Sequence, residues 1–156
     1  MALKCSTKLK NAMFEAIRTQ LATGAIFIYS GSQPATADAA PTGTLLGIAT
    51  VGAGSWTAVS NLTNGLDFSA AASGVLTKSA SETWQFVGIA NGTAGWFRHV
   101  GGAVADSLSA DATETYPRID GRISTSGAEM ILSNLSIVTG AMTTIDSYMI
   151  QWPSAL

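Results

Sequence analysis

Residues 82–100 read ETWQFVGIANGTAGWFRHV, and how this stretch folds sets the class of the whole chain. Two apolar runs flank Asn91-Gly92. Both residues accept the positive φ of a type I′ turn, so the pair predicts a β-hairpin with Trp84 and Phe86 on one arm and Trp96 and Phe97 on the other. Rings of this size bury about 150–250 Å² each, so the stretch is expected to carry much of the core.

Working outward, the chain on both sides breaks into short apolar runs separated by Gly, Asn and Pro. Upstream lie Ala25 to Ser30 (AIFIYS), Thr44 to Val51 (TLLGIATV), Trp56 to Val59, Leu66 to Phe68 and Val75 to Thr77. Downstream lie Tyr116 to Ser124 (YPRIDGRIS), Met130 to Leu132, Leu135 to Val138 and Thr143 to Trp152, with Pro153 unable to continue a ladder. Gly31 to Gly43 (GSQPATADAAPTG) and Gly101 to Thr115 read as loops. About nine or ten short strands at intervals of roughly 8–12 residues predict an all-β domain, an antiparallel β-sandwich or jelly roll. Helices do not alternate with the strands, which argues against a parallel sheet.

One helix precedes the strands. From Ser6 to Thr23, Leu9, Met13, Phe14, Ile17 and Leu21 recur at three- and four-residue spacing and form one stripe. Ser6 or Thr7 supplies the N-cap, and Gly24 is expected to end the helix in the left-handed conformation. Lys10 falls within the apolar stripe and must extend its ammonium away from it. The helix either packs on its own sheet or docks on a neighbouring subunit. The organisation expected is an N-terminal arm and amphipathic α-helix over residues 1–24 and a β-sandwich over 25–156, as one globular unit.

The chain has 156 residues, of which 12% are charged, about half the ~25% of an ordinary soluble domain. Such a surface solvates poorly and favours association. A net charge of −2 provides no broad basic field for nucleic acid. No run approaches the roughly 18 apolar residues of a membrane-spanning helix. The opening MALKCSTKLK places lysines where a secretory leader needs apolar residues, so the chain is expected to stay in the cytoplasm where it is made or to leave by a route that needs no signal.

Catalytic chemistry finds little to work with. His99 is the one histidine and Cys5 the one cysteine, so a nucleophile–histidine arrangement would have to pass through His99. It reads as an ordinary strand residue, and Cys5 as an inert thiol. Zinc needs three or four Cys or His ligands, and the chain has two such residues. Asp106, Asp111 and Glu114 share one loop but lack the calcium-loop spacing, so a solvated loop is the simpler reading. No phosphate-cradling glycine motif occurs. Arg98, Arg118 and Arg122 are expected on adjacent strands, paired with acids of a partner subunit. Catalytic residues, cofactor and metal are all expected to be none.

Five segments add a resemblance: MALKCSTKLKNAMFEAI (1–17), GAIFIYSGSQPATADAAPTGTLLGIAT (24–50), GLDFSAAASGVLTKSASETW (65–84), GTAGWFRHV (92–100) and PRIDGRISTSGAEMILSNLSIVTGAMTTIDSYMI (117–150). Together, and in this order, they resemble small structural virion proteins of tailed bacteriophages and prophages, whether head-decorating or tail-associated. The resemblance implies a non-enzymatic structural protein of the virion, made in the host bacterial cytoplasm. The leading expectation is a capsid decoration or cement protein on the head lattice. A tail, collar or fibre-associated protein is one alternative. A carbohydrate-binding sandwich using Trp56, Trp84, Trp96 or Trp152 is another. The partners expected are further copies of the chain, with a trimer favoured, and other virion proteins, foremost the major capsid protein, but neither nucleic acid nor membrane. For the interface, Leu9, Met13, Phe14 and Ile17 are expected to supply packing, and Lys4, Lys8 and Lys10 contacts to an acidic shell.

Overall fold

The computed structural model describes residues 4–151. Helix α1 (Thr7–Leu21) is capped by Ser6, whose hydroxyl accepts the Leu9 N–H at 3.3 Å. The apolar stripe turns inward at Phe14 and Leu21, both buried, with Ile17 packed against them. Each buried side chain contributes about 1.5–3 kcal/mol. Polar anchors fasten the helix to the segment before β3: Asn11 Oδ1 accepts from Gly74 N (2.8 Å), Glu15 Oε1 from Ala71 N (2.6 Å), and Arg18 Nε donates to Phe68 O (3.2 Å). The helix therefore packs on its own domain. It ends differently from expectation. Thr23, not Gly24, takes the left-handed conformation, at φ 51°. Gly24 instead bridges to Leu66, where a Cβ would stand 2.1 Å from Val100 O, so close approach rather than φ demands glycine there.

Ten strands follow among the described residues: β1 (Ala25–Ser30), β2 (Leu45–Val51), β3 (Val75–Thr77), β4 (Trp84–Val87), β5 (Gly92–Val100), β6 (Arg118–Ser124), β7 (Met130–Ile131), β8 (Ser136–Ile137), β9 (Met142–Thr144) and β10 (Ser147–Gln151). They form one sheet in the order β3-β10-β7-β6-β5-β1-β2-β4-β9, with β8 paired onto β5. Every strand pair is antiparallel except β6–β7. The sheet curls onto itself into a sandwich-like, all-β domain. Tyr148 on β10 and Trp84 on β4 stand far apart in strand order, yet their rings lie 5.6 Å apart across the core.

The hairpin expected over 82–100 does not form. β4 and β5 are consecutive in the chain, but the β1–β2 pair lies between them in the sheet. Neither Asn91 nor Gly92 has positive φ. The connection is drawn away by other partners: Ile89 N donates to Leu46 O (2.9 Å), and Asn91 Oδ1 accepts from Thr139 N (2.8 Å). Three further corrections are local. Trp56 to Val59 is a turn closed by Thr57 and Asn61, not a strand. Leu66 to Phe68 forms only isolated bridges. Thr143 to Trp152 is two strands broken at Ile145-Asp146, with Trp152 and Pro153 outside the described residues.

β1 is buried from Ala25 to Tyr29 because both of its faces are covered. Ile26 and Ile28 enter the main core with Phe68, Trp84, Phe86, Phe97 and Tyr148. Ala25, Phe27 and Tyr29 enter a second cluster on the outer face with Trp96 and Val100. Tyr29 and Trp96 are paired in register and stack at 4.6 Å. Leu108 and Trp56 pack over this cluster.

Candidate interaction surfaces

The outer face of β5 and β6 holds the densest charge in the molecule. Arg98 lies opposite Asp120 and grips it with a fork, Nε to Oδ1 at 2.8 Å and Nη2 to Oδ2 at 2.7 Å. The two side chains are 0% and 5% exposed. Beside them Arg118, equally buried, forks onto Asp106. Its Nη1 also donates to Ser109 O (2.9 Å) and Ala37 O (3.3 Å). One guanidinium thus ties the 101–117 loop to the 31–44 loop. The Asp106 carboxylate raises the Arg118 pKa further above its usual range.

Asp111 finishes this roof. Its carboxylate accepts N–H groups from Tyr116, Thr115 and Thr113, and its own N–H donates to Asp38 O at 2.7 Å. Those hydrogen bonds, the one from Tyr116 foremost, hold its carboxyl below the ordinary carboxylate range. The carboxylates of Asp106 and Asp111 are thereby engaged within the chain. Among the described residues no group of three or more His, Cys, Asp or Glu converges on a metal position.

Two of the arginines expected to pair with acids of a partner subunit find their acids within the chain instead. Arg98 and Arg118 are satisfied within the chain, apart from Arg98 Nη1, which is buried without a partner. Arg122 is exposed and approaches Glu129 at 3.8 Å, a pair of the kind that contributes little. Both residues line a cavity of about 440 Å³ bordered by Ile119, Tyr148 and Met149.

His99 points to the opposite face, into the core. Phe68, Trp84 and Tyr148 surround it, with ring centroids 5.3, 6.1 and 5.7 Å away. Burial alone lowers its pKa to about 3, so the imidazole is neutral at ordinary pH. Nδ1 lies 3.4 Å from the Tyr148 hydroxyl, and Nε2 has no partner. Burial also pushes the Tyr148 phenol up. The site is closed to water and to any substrate.

The expected interface residues divide. Lys4, Lys8 and Leu9 are exposed, Met13 is half-buried, and Lys10 lays its methylenes beside Gly74. Phe14 is committed to the core and Ile17 packs against it, leaving Phe14 unavailable to another molecule. Cys5 is a half-exposed free thiol. Of the tryptophans weighed as sugar platforms, Trp84 and Trp96 are enclosed. Trp56 stands edge-on to Phe27 at 6.4 Å with its indole N–H given to Thr23 O.

One surface escapes residue-by-residue reading: Ile48, Val87, Ile89, Val138 and Met142 are exposed around strands β2, β4 and β9. Its sequence signal is the absence of any charged residue from 44–66, 83–97 and 130–145. Comparison of the chain with protein-family models, curated proteins and solved structures yields no match.

Proposed function

We propose that this protein is a non-enzymatic structural component of a tailed-bacteriophage particle, decorating or cementing the head lattice. One observation carries the proposal: His99, Arg98 and Arg118 of the central strands are sealed inside, while the face left open over β2, β4 and β9 is apolar and uncharged. That distribution suits adhesion rather than bond-making. The likeness of the five ordered segments to virion proteins supplies the setting.

Lys4, Lys8 and Leu9, exposed at the start of the helix, are the contacts onto an acidic neighbour such as the major capsid protein. Each contact is weak alone, and many copies on one shell hold through multivalency. The carbohydrate alternative loses its two enclosed tryptophans, Trp84 and Trp96, as stacking platforms. The test is negative-stain imaging of particles labelled with an antibody to this chain. Label spread over the head supports the proposal. Label confined to tail or collar, or none on purified particles, overturns it.

A further inference from the structure

A single cross-strand row runs across the outer face. Asp120 pairs with Arg98, Arg98 with Phe27, and Phe27 with Ile48. The β2–β4 register, with Thr50 opposite Gln85, brings Ile48 opposite Val87, and Val87 pairs with Met142 on β9. Residues directly opposed share one face of a sheet. The row begins as a buried ion pair and ends in the open, with Ile48 36% exposed, Val87 40% and Met142 57%. Ile89 and Val138, also exposed, flank the Gly88–Thr139 bridge at the end of β4.

β9 is a terminal strand of the sheet. Gly88 N donates to Ala141 O and Ile145 N to Trp84 O, so residues 141, 143 and 145 spend their backbone groups on β4. By the alternation of an antiparallel ladder, the N–H and C=O of Met142 and Thr144 point away from the sheet. The opposite end is guarded. Beyond β3, Phe68 bridges Lys78, Ser69 N donates to Thr77 O, and Asn11 of the helix holds Gly74 N.

Protein sheets ordinarily blunt a free edge with lysine, proline, a bulge or a covering segment. β9 has neither charge nor proline from 130 to 145, and its neighbour β4 has neither from 83 to 97. An open ladder is satisfied by another extended strand. A charged strand would bury an unpaired ion against the apolar row, a costly arrangement. The match in charge is therefore neutral to neutral, and this chain's own edge provides it.

We propose that β9 is a self-association edge. Two copies of the chain pair their β9 strands antiparallel about a two-fold axis, which extends the sheet and continues the Ile48–Val87–Met142 row, through Met142, into its counterpart. A two-fold contact replaces the trimer expected from the sequence. β9 spans three residues, so the ladder is short and the contact is weak in dilute solution. It is independent of where the protein sits in a particle.

Sedimentation equilibrium of the full chain from about 1 μM to about 1 mM tests it. The mass is expected to rise from 16.0 kDa toward two copies, and Met142→Lys to remain at 16.0 kDa with an unchanged circular dichroism spectrum. Leu9→Lys, on the helix, associates as the wild type does. In parallel, the Met142 and Thr144 amides exchange at least tenfold more slowly at high concentration than at low. Three results overturn the proposal. The wild type stays at one copy throughout, which leaves the edge to some other protein. The association survives Met142→Lys or yields to Leu9→Lys. Or the mass converges on three or more copies.

Discussion

One face of one sheet carries two different surfaces. Over β6, β5 and β1 the outer face is roofed by the 31–44 and 101–117 loops, and beneath that roof lie two forked ion pairs and a stacked Tyr29–Trp96 pair. Over β2, β4 and β9 the same face, in the same cross-strand row, is bare and carries only apolar and neutral side chains. The usual order is inverted: charge is inside and hydrocarbon outside. The difference lies in the loops, because Arg118, Asp106 and Asp111 fasten backbone over one half and nothing equivalent spans the other. Burial in this molecule thus follows the reach of its connections rather than the polarity of its strands.

The roofed half should break hardest when a single partner is removed. Asp120→Ala strands the Arg98 guanidinium in a dry site, and losing one member of a buried pair costs about 3–5 kcal/mol. Urea unfolding should show that loss. Replacing both members, by Arg98→Met with Asp120→Leu, should recover most of it, since apolar side chains of similar volume commonly match a buried pair. If the double replacement is as damaging as the single, the pair is doing more than filling and neutralising its site.

Acid probes the closed half from beneath. His99 sits next to Arg98 but on the core face, with its folded pKa at about 3 against an ordinary 6.5. Between those values the unfolded chain binds a proton that the folded chain refuses. The stabilisation is therefore complete above pH 6.5 and falls as pH falls toward 3. One pKa unit is worth ~1.36 kcal/mol, so the descent from pH 6.5 to about 4.5 should remove about 2–3 kcal/mol. Asp111 and Glu15, also held below their ordinary values, add to the loss only as pH drops further through the carboxylate range. Stability measured across this window, with the His99 ring resonances followed by NMR, checks both parts. A ring that titrates near 6.5 in the folded protein would contradict the closed site.

What could be read in the sequence is what depends on neighbours in the chain. AIFIYS and Val75 to Thr77 are strands with the bounds their composition predicts, and the helix stripe places Phe14 and Leu21 inward. The expected hairpin failed on a different kind of information. Asn91-Gly92 favours a turn by a local preference, and that preference yields to hydrogen bonds with Leu46 and Thr139, residues distant in the chain. The division between roofed and open surface was invisible for the same reason. It is set by the Arg98–Asp120 and Val87–Met142 registers, which only strand pairing reveals. Phe14, weighed as an interface residue, could not be told from a core residue, because an amphipathic stripe looks the same whichever body it faces.

Trp56 marks the border between the two surfaces. Its ring edge covers Phe27, the row's last enclosed member, and its indole N–H holds Thr23 O at 2.8 Å. Trp56→Ala should cost about 2 kcal/mol, less than truncation of a fully buried tryptophan, because the ring is only half enclosed. It should also move the border by one strand, exposing Phe27 and lengthening the apolar row. Thermal unfolding reads the first effect. Binding of an apolar dye, increased over the wild type, reads the second.

The smallest effect on stability is expected where the surface is most apolar. Val87→Thr keeps a β-branched side chain on β4, so strand preference is nearly unchanged and only exposed hydrocarbon is exchanged for a hydroxyl that water can reach. Its unfolding free energy should stay within about 0.5 kcal/mol of the wild type, as for ordinary surface substitutions. The contrast with Asp120→Ala, made in the same row at the other end, is the quantity of interest. A large loss at Val87 would mean that the open half is packed against something within its own chain. A negligible one, together with reduced self-association, would mean that this apolar surface acts between molecules and contributes nothing to holding one together.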